Sequence, residues 1–232
     1  MKTFLFDLDD TILNLNWDET SKVHYGSLAE YHAKTMPKEE VVKYVFLSYR
    51  YMVEVVDERT NKNRFYDKMA ELSGVDKDIL LASEDGFYMN EFDRIKELTA
   101  PMEDMVKAVR SLYEKGFSLV LATNPVFPDL AVKKRIVWAG LEEKMFKKIT
   151  YFESSKACKP NKEYYQQLID ELKLVPSECV MVGNDRKEDM MAAEFGMEAI
   201  LITDRVIESD DEFQCREMTA REFLDYVENL EV

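Results

Sequence analysis

The chain has 232 residues, 46 % hydrophobic and 33 % charged, which is typical of a soluble globular protein with a substantial core. Its formal net charge of −15 argues against nucleic acid or an anionic membrane surface as a partner, because both attract positive charge. No apolar run approaches ~20 residues, so we expect no membrane span. The three cysteines are widely spaced and form no CxxC pair, which favours reduced thiols in a cytoplasmic protein.

The first residues combine a short apolar run with a group of polar side chains. The run Phe4 to Phe6 has the length of a buried strand, and Asp7, Asp9 and Thr11 follow it. Because alternate residues of an extended chain point to the same side, Asp7 and Asp9 should face one small volume. A bound cation or a raised pKa would relieve their repulsion, and a nucleophile and a proton donor need those conditions. The alternative is that these acids begin a loop or cap a helix.

Residues 15–98 have helical periodicity, which predicts a helical insertion after the first strand. In its clearest segment, apolar residues recur every three or four positions on one face and charged residues lie on the other. Short connections predict a small antiparallel bundle whose hydrophobic faces form a core of their own. The helices are expected at Asp18 to Lys34, Lys38 to Asp57, Lys62 to Leu72 and Asp76 to Gly86.

From Pro101 onward, amphipathic helices alternate with nearly continuous apolar strands. This pattern predicts a parallel sheet covered on both faces, in a three-layer, Rossmann-like α/β fold. The predicted domains are an α/β core of residues 1–14 and 99–232 and a helical domain of residues 15–98. The strands are expected at Phe117 to Ala122, Ile149 to Phe152, Cys179 to Val182 and Ala199 to Ile202, and the helices at Met102 to Lys115, Pro128 to Gly140, Asn161 to Leu174, a segment that carries Asp189, and a last helix that begins at Thr219.

Polar residues follow the carboxyl ends of four predicted strands. In parallel sheets ligands bind beyond these ends, so we expect the polar side chains to meet at one edge of the sheet. Four successive strands with reactive side chains at one edge are hard to explain as ordinary loop composition. These residues are Asp7 and Asp9 after the first strand, Thr123 and Asn124 after the second, Lys159 beyond the third and Asp185 after the fourth.

Some of these residues have simpler explanations when each is taken alone. Lys159 would then be an exposed lysine, and the spacing from Asp185 to Glu188 is that of a helix cap. Cys158 adjoins Lys159, and a passive thiol is favoured over a reactive one there. The strand-end position of Asp185 favours a metal ligand over a cap.

With all four pieces in order, the sequence resembles the haloacid dehalogenase superfamily, whose members are mostly magnesium-dependent phosphatases. The resemblance covers about residues 1–14 and 100–205, and residues 15–98 are similar to the helical cap that this family inserts after the first strand. The matching motifs are Asp7-Leu-Asp9-Asp-Thr11, Thr123-Asn124, Lys159 followed by Pro160, and Asp185 with Asp189.

The resemblance implies catalytic roles for four residues. Asp7 would be the nucleophile and Asp9 the acid and base, while Thr123 and Lys159 would contact the phosphate. Physical chemistry supports these roles, because an acid that protonates a leaving alcohol needs a raised pKa and a lysine offsets charge in the transition state. The resemblance also implies Mg²⁺ as cofactor, and repulsion between a carboxylate and a phosphate would be relieved by it.

The implied magnesium site consists of Asp7, the carbonyl of Asp9 and the acids of the fourth motif, Asp185 and Asp189. Substrate binding is expected from Thr11 and from the backbone N–H of Asn124. These residues complete the set of candidate site residues.

The fourth motif departs from the commonest form in the family, which places an acid directly after the glycine. Here that position is Asn184, and an amide oxygen is a poorer ligand for Mg²⁺ than a carboxylate. The step from Asp185 to Asp189 would put both acids on one side of a helix's first turn. We therefore expect Asp185 to be the direct ligand, Asp189 to act through water or by orienting Lys159, and Asn184 to be a lesser contact.

The predicted function is magnesium-dependent hydrolysis of a small soluble phosphate ester through an aspartyl phosphate. A sugar-phosphate mutase shares every motif, whereas a 2-haloacid dehalogenase needs no general acid, and a non-catalytic phosphate-binding module would not need four intact motifs. Candidate contacts to the leaving group are Tyr25, Arg50, Arg64 and the loop Pro125 to Pro128, among which the sequence does not choose. His24 and His32 lack metal-ligand spacing and are expected to be packed or solvated.

Overall fold

The structure is a computed structural model that describes residues 2–231. Helices alone occupy residues 17–98, and strands and helices alternate in the rest of the described chain. In chain order, the elements are β1 (Thr3–Phe6), β2 (Leu13–Asn14), α1 (Trp17–His32), α2 (Lys38–Glu54), α3 (Asn61–Ser73), α4 (Lys77–Asn90), β3 (Ala100–Pro101), α5 (Glu103–Glu114), β4 (Ser118–Leu121), α6 (Asp129–Trp138), β5 (Lys148–Ile149), α7 (Lys162–Leu172), β6 (Cys179–Gly183), β7 (Glu198–Ile202), β8 (Arg216–Met218) and α8 (Ala220–Glu228). Short 3₁₀ helices lie at Phe92–Leu98, Glu143–Met145, Pro176–Glu178, Met190–Phe195 and Thr203–Arg205.

Six strands form one parallel sheet in the order β5-β4-β1-β6-β7-β8. The central strand β1 lies between β4 and β6, and its last residue, Phe6, is level with Leu121 and Val182. The backbone N–H of Asp7 continues the pairing by donating to Val182 O at 2.9 Å. Three neighbouring strands therefore end level with one another, and the residues that follow them lie at the same edge of the sheet.

Both faces of the sheet are covered, because alternate side chains of a strand point to opposite sides. Phe4 and Phe6 pack in a cluster with Val109 of α5 and Val227 of α8. Leu5, between them in sequence, packs in a second cluster with residues of α7 such as Tyr165. The predicted three-layer α/β architecture is confirmed.

Helices α1 to α4 lie in the segment predicted as the helical cap, residues 15–98, and bury a cluster that includes Val41, Met52 and Phe87. That cluster is continuous with side chains of the α/β core, among them Phe152 and Cys158. The prediction that the cap has a core of its own is therefore only partly right, because its apolar faces close against the core domain as well as against each other. The boundaries assigned to the two domains stay a prediction.

The sequence missed three short strands and misjudged one turn. Strands β2 and β3 form a two-stranded antiparallel ribbon where the chain enters and leaves the cap, and β8 extends the sheet beyond β7. They are too short to show a periodic pattern. The predicted helical turn through Asp185 and Asp189 is wrong, because residues 186–189 form turns and a 3₁₀ helix begins only at Met190. The capping box of Thr219 and Glu222 is confirmed at α8.

Residues 2–231 contain no helix that is a candidate membrane span. None of their helices combines the length and the apolar character needed to cross a bilayer.

Candidate active site

A buried lysine joins two of the predicted carboxylates. Lys159 Nζ lies 3.0 Å from Asp7 Oδ1 and 2.6 Å from Asp189 Oδ1. Its side chain is fully buried, so the explanation of Lys159 as an exposed surface lysine is wrong. Burial acts to lower the pKa of Lys159, but Asp189 and Asp7 outweigh it and hold that pKa well above the usual range. The ammonium therefore stays charged and lies directly against the predicted nucleophile.

The carboxylate of Asp189 packs against Gly183, which has no side chain and so leaves room for it. One oxygen of this carboxylate contacts Lys159, and the other, Asp189 Oδ2, accepts a hydrogen bond from the backbone N–H of Asp185 at 3.0 Å. A Cβ atom on Gly183 would lie 2.1 Å from that same oxygen. The glycine that ends β6 is therefore needed for the close approach of the Asp189 carboxylate to the strand.

Asn124 ties the loop that carries Lys159 to the turn after β6. Its Oδ1 accepts a hydrogen bond from the backbone N–H of Lys159 at 3.2 Å, and its Nδ2 donates to Glu188 Oε2 at 2.8 Å. Burial raises the pKa of Glu188 to about 8, although Lys159 acts to lower it. The side chain of Asn124 is thus structural, which leaves its backbone N–H for the predicted phosphate contact. The sequence pattern indicates Glu188 only as part of a helix cap.

Thr123 is buried two residues after β4, and two side chains hold its carbonyl group in place. Its carbonyl oxygen accepts hydrogen bonds from Thr150 Oγ1 at 2.6 Å and from the Tyr164 hydroxyl at 3.2 Å. One turn later, Val126 N–H donates to Asn124 O at 2.8 Å. These contacts hold the segment that the sequence assigned to phosphate binding in a single conformation, as an anion site needs.

Asp9 pairs with a residue that the sequence analysis did not identify. Nη1 of Arg135, on α6, donates a hydrogen bond to Asp9 Oδ2, and the Arg135 side chain is 1 % exposed. Burial raises the pKa of Asp9 to about 6, although Arg135 acts to lower it and Asp7 adds to the rise. In the sequence, Arg135 is distinguished only by its position, because it lies on the same face of α6 as the apolar residues Val132 and Ile136.

Within this pair, one oxygen of Asp9 and one nitrogen of Arg135 are buried without a hydrogen-bond partner among the described residues. These atoms are Asp9 Oδ1 and Arg135 Nη2. A buried acceptor and a buried donor that lack partners cost free energy unless a ligand or water satisfies them. Arg135 Nη2 can therefore donate to an oxygen atom of a substrate, and Asp9 Oδ1 can accept from a hydroxyl group or water.

The hydroxyl of Thr11 links the first motif to the fourth. It donates to Asn184 Oδ1 at 3.0 Å and lies 3.4 Å from Asp7 Oδ2, and Thr11 is fully buried. Asn184 Nδ2 donates to Arg205 O at 2.8 Å, which fixes the amide with its oxygen towards Thr11. Thr11 thus lies behind Asp7 and Asn184, where it orients both side chains. Its predicted contact with substrate stays a prediction.

One carboxylate oxygen of Asp185 caps the turn that follows β6. Its Oδ1 accepts hydrogen bonds from the backbone N–H groups of Lys187 and Glu188, each at 2.8 Å. This is the capping arrangement that the sequence offered as the alternative. Asn184 Oδ1 is linked to Asp7 through the Thr11 hydroxyl, and the order of the metal ligands stays a prediction.

The donor atoms beside Asp7 are of a kind that suits Mg²⁺. Asp7 contributes a carboxylate and Asn184 an amide oxygen, and the main-chain carbonyl of Asp9 is near in sequence. Mg²⁺ binds to oxygen, keeps several waters and uses one or two carboxylates. Within residues 2–231, no three His, Cys, Asp or Glu side chains group as a metal site of the kind typical of zinc. The residues present therefore fit a hydrated Mg²⁺.

Three residues considered for substrate contact or reactivity are structural or exposed. Arg64 is fully buried, and its Nη1 and Nη2 donate to Arg59 O at 2.7 Å and Lys156 O at 2.6 Å, so it braces the junction between cap and core. Arg50 is exposed on α2. Burial raises the pKa of the Cys158 thiol to about 12, which favours a passive thiol.

A cavity of about 440 Å³ opens between the cap and the α/β core. Tyr25, the third candidate for substrate contact, lines it together with Tyr49 from the cap and Val126 and Phe127 from the loop after β4. That loop also carries Thr123 and Asn124, which do not line the cavity themselves. His24 and His32 also line the cavity and are buried, which confirms that they are packed residues.

Comparison with known proteins agrees with this arrangement. Glyceraldehyde 3-phosphate phosphatase of Methanopyrus kandleri is 27 % identical over 200 residues, which cover 83 % of this chain and 79 % of the relative. Pyrophosphatase PpaX of Anoxybacillus flavithermus is 24 % identical over 197 residues, 83 % of this chain and 78 % of the relative. A HAD phosphatase from Thermococcus onnurineus has a similar structure, with a TM-score of 0.62, 20 % identity and 98 % of each chain covered.

A dehalogenase shares the fold as well. L-2-haloacid dehalogenase from Xanthobacter autotrophicus aligns with a TM-score of 0.60 and 12 % identity over 100 % of both chains, a likeness that concerns the fold alone. The sequence pattern of the haloacid dehalogenase-like hydrolases matches residues 1–196, most of the chain and all four groups of strand-end residues. The protein is therefore an enzyme of the haloacid dehalogenase-like hydrolase family.

Proposed function

We propose that this enzyme is a magnesium-dependent phosphomonoesterase that hydrolyses a small soluble phosphate ester through an aspartyl phosphate on Asp7. The observation that carries the proposal is the contact of Lys159 Nζ with both Asp7 and Asp189 at the carboxyl ends of the central strands. A fixed ammonium beside a carboxylate lowers the repulsion that a phosphate dianion would meet. The relatives named as phosphatases support the same reaction class.

In the first step, an oxygen of Asp7 forms a bond to phosphorus while the bond from phosphorus to the leaving oxygen breaks. Lys159 binds Asp7 Oδ1 and is placed to offset charge on the phosphoryl oxygens. The backbone N–H of Asn124 and the side chain of Thr123 bind those oxygens from the rigid loop after β4. Thr11 and Asn184 orient the other side of the Asp7 carboxylate.

Asp9 carries the proton. With a pKa raised to about 6, it gives its proton to the leaving alcohol and then takes one from the water that attacks the aspartyl phosphate. The second step breaks the bond between phosphorus and Asp7 Oδ and releases inorganic phosphate, so Asp7 and Asp9 return to their starting states. Arg135 positions the acid by binding its Oδ2.

Mg²⁺ would be held by Asp7, the carbonyl of Asp9 and Asn184, with Asp185 and Asp189 close by. When bound, the ion supplies positive charge that neutralises the phosphate and the attacking carboxylate. Asp189 orients Lys159 from the side opposite to Asp7. We place Asn184 before Asp185 as a direct ligand because the carboxylate of Asp185 caps the turn after β6.

The environment of Asp9 disfavours dehalogenation. Halide leaves without a proton, so a dehalogenase gains nothing from an acid whose burial raises its pKa to about 6 beside the nucleophile. A phosphate mutase remains the alternative that shares these residues, and it differs only in the acceptor of the phosphoryl group.

The test is release of inorganic phosphate from a panel of metabolite phosphates with and without Mg²⁺. Hydrolysis that needs Mg²⁺ and is lost in Asp7→Asn is expected, and the matched control Asp18→Asn changes an exposed acid of α1 and should keep wild-type rates. Asp7→Asn with activity within about tenfold of wild type would contradict the nucleophile. Phosphoryl transfer to a sugar in place of water would favour the mutase.

A further inference from the structure

The cavity between cap and core has an unusual lining for an enzyme that handles polar metabolites. Aromatic and aliphatic side chains make up most of it, with Trp17, Phe46 and Tyr49 from the cap facing Phe127 and Phe152 from the core. No lysine or arginine of residues 2–231 lines it. At about 440 Å³, the cavity is of the size that takes a small organic ligand.

The ionisable groups of the lining add no positive charge. Burial lowers the pKa of His32, and it lowers that of His24 to about 4, so both rings are neutral near pH 7. Glu84 is the acid of the lining, and its Oε2 lies 2.5 Å from Lys62 Nζ, which also reaches Glu153. A second phosphate or a carboxylate would therefore meet a carboxylate in this cavity and find no cation for itself.

One wall of the cavity is linked to the predicted acid through Arg135. Phe127, in that wall, lies under the guanidinium of Arg135, whose carbon is 4.4 Å from the ring centroid. The same guanidinium binds Asp9. Asp9 is therefore separated from the cavity by two side chains, Arg135 and Phe127.

The cavity wall also packs against the loop that carries Lys159. Phe127 and Phe152, which line the cavity, belong to one hydrophobic cluster with Cys158. Cys158 directly precedes Lys159, the lysine that contacts Asp7. The cavity therefore lies close to the polar edge of the sheet, although its lining contains none of the predicted catalytic residues.

Large aromatic side chains remain exposed around this cavity. The exposed fractions are 47 % for Trp17, 50 % for Phe46 and 38 % for Tyr49. The ring of Phe46 also packs on Tyr25, with centroids 4.9 Å apart. Exposed apolar surface that is grouped at one place marks a binding site, because a ligand that covers it removes it from water.

We propose that this cavity binds the leaving group and that the preferred substrate is a phosphate monoester of an alcohol bearing an uncharged ring system. The inference rests on the proposed phosphatase function and names its substrate class. A polyhydroxy leaving group would leave its hydroxyls without partners against Phe and Tyr rings, which costs free energy. A ring gains from the burial of apolar surface and from stacking on aromatic side chains.

The experiment compares three esters of primary alcohols, so that the leaving groups differ little in basicity: 2-(1-naphthyl)ethyl phosphate, n-propyl phosphate and glycerol 3-phosphate. We expect kcat/KM of the naphthyl ester to exceed that of glycerol 3-phosphate by about tenfold or more. Phe46→Ser should reduce this ratio about tenfold. Met89→Ser, a control at an exposed apolar residue of α4 outside the lining, should leave the ratio unchanged.

A binding measurement separates the inference from the proposed function. In Asp7→Asn with Trp138→Phe, Trp17 is the remaining tryptophan, and its fluorescence should respond to the naphthyl ester at concentrations at least about tenfold below those of glycerol 3-phosphate. Equal responses, or a ratio of kcat/KM that Phe46→Ser does not change, would overturn the inference while leaving hydrolysis intact. Ring-selective binding without hydrolysis of any ester would support the cavity assignment and overturn the phosphatase.

Discussion

Arg135 on α6 donates a hydrogen bond to Asp9 Oδ2, although the two residues are 126 positions apart in the chain. Burial raises the pKa of Asp9, and the charge of Arg135 lowers it. The effect of burial is the larger, and the pKa of Asp9 is about 6. A general acid without a cation nearby would be protonated over a wider pH range. Arg135 therefore adjusts the pH at which Asp9 gives up its proton.

Replacement of Arg135 by methionine should shift the pH profile of hydrolysis. The side chain keeps its length and loses its charge, so the neutral form of Asp9 is favoured and its pKa rises. Where the first step limits turnover of an alkyl phosphate, the rate falls as pH rises through this pKa. That fall should move to higher pH by about one pH unit or more in Arg135→Met. Lys133→Met on the same helix, which loses ion pairs to Asp129 and Glu143, is the control. A profile that stays in place would show that Arg135 does not act through Asp9.

Gly183→Ala should lower activity, although it replaces no catalytic residue. The new Cβ would lie 2.1 Å from Asp189 Oδ2, so the carboxylate must move from Lys159 and from the backbone of Asp185. Displacement of a positioning group by about 1 Å costs on the order of 10²-fold in rate. Gly26→Ala is the matched control, because nothing lies within 4 Å of its Cβ position inside α1. It should keep full activity and gain slightly in thermal stability. Wild-type kcat in Gly183→Ala would exclude this role of Asp189.

The fourth motif predicts different responses to Mg²⁺ in neighbouring variants. Asn184→Ala removes the amide oxygen that the Thr11 hydroxyl links to Asp7, and it should raise the Mg²⁺ concentration needed for half-maximal activity. Asp185→Asn should raise it less, because asparagine also caps a turn and the structure uses Asp185 in that way. Asn184→Asp should lower it, since Mg²⁺ prefers a charged oxygen. Activation curves for the three variants decide the order, and a larger effect of Asp185→Asn would restore Asp185 as the direct ligand.

His24 should make folding stability depend on pH. Burial lowers the pKa of His24 from 6.5 to about 4, and the charge of Arg135 acts in the same direction. Between these values the unfolded chain binds a proton that the folded chain does not, so the contribution is complete above about pH 6.5 and is lost as the pH falls towards 4.

The corresponding measurement is urea unfolding of wild type and His24→Leu at pH 7.5 and pH 5. Wild type should lose about 2 kcal/mol more than the variant between these pH values. His24 Nδ1 has no hydrogen-bond partner within residues 2–231, so the substitution removes no hydrogen bond of that atom. Parallel losses in both proteins would show that His24 does not resist protonation.

The sequence by itself determined the α/β core and the polar edge of its sheet. Apolar runs that stop at Asp7, at Thr123 and at Asp185 identify strand ends, and strands separated by helices must run parallel, which brings those ends to one edge. The local sequence pattern was sufficient to locate these strand ends, because at each of them apolar residues are followed directly by polar ones.

Only the tertiary structure decided which side chains meet at that edge. The contacts of Arg135 with Asp9 and of Asn184 with Thr11 join residues that no periodic pattern links. The aromatic cavity depends on how the cap closes over the loop after β4. Such contacts depend on packing between distant segments, and the same apolar faces that predict a helix do not say which partner covers them.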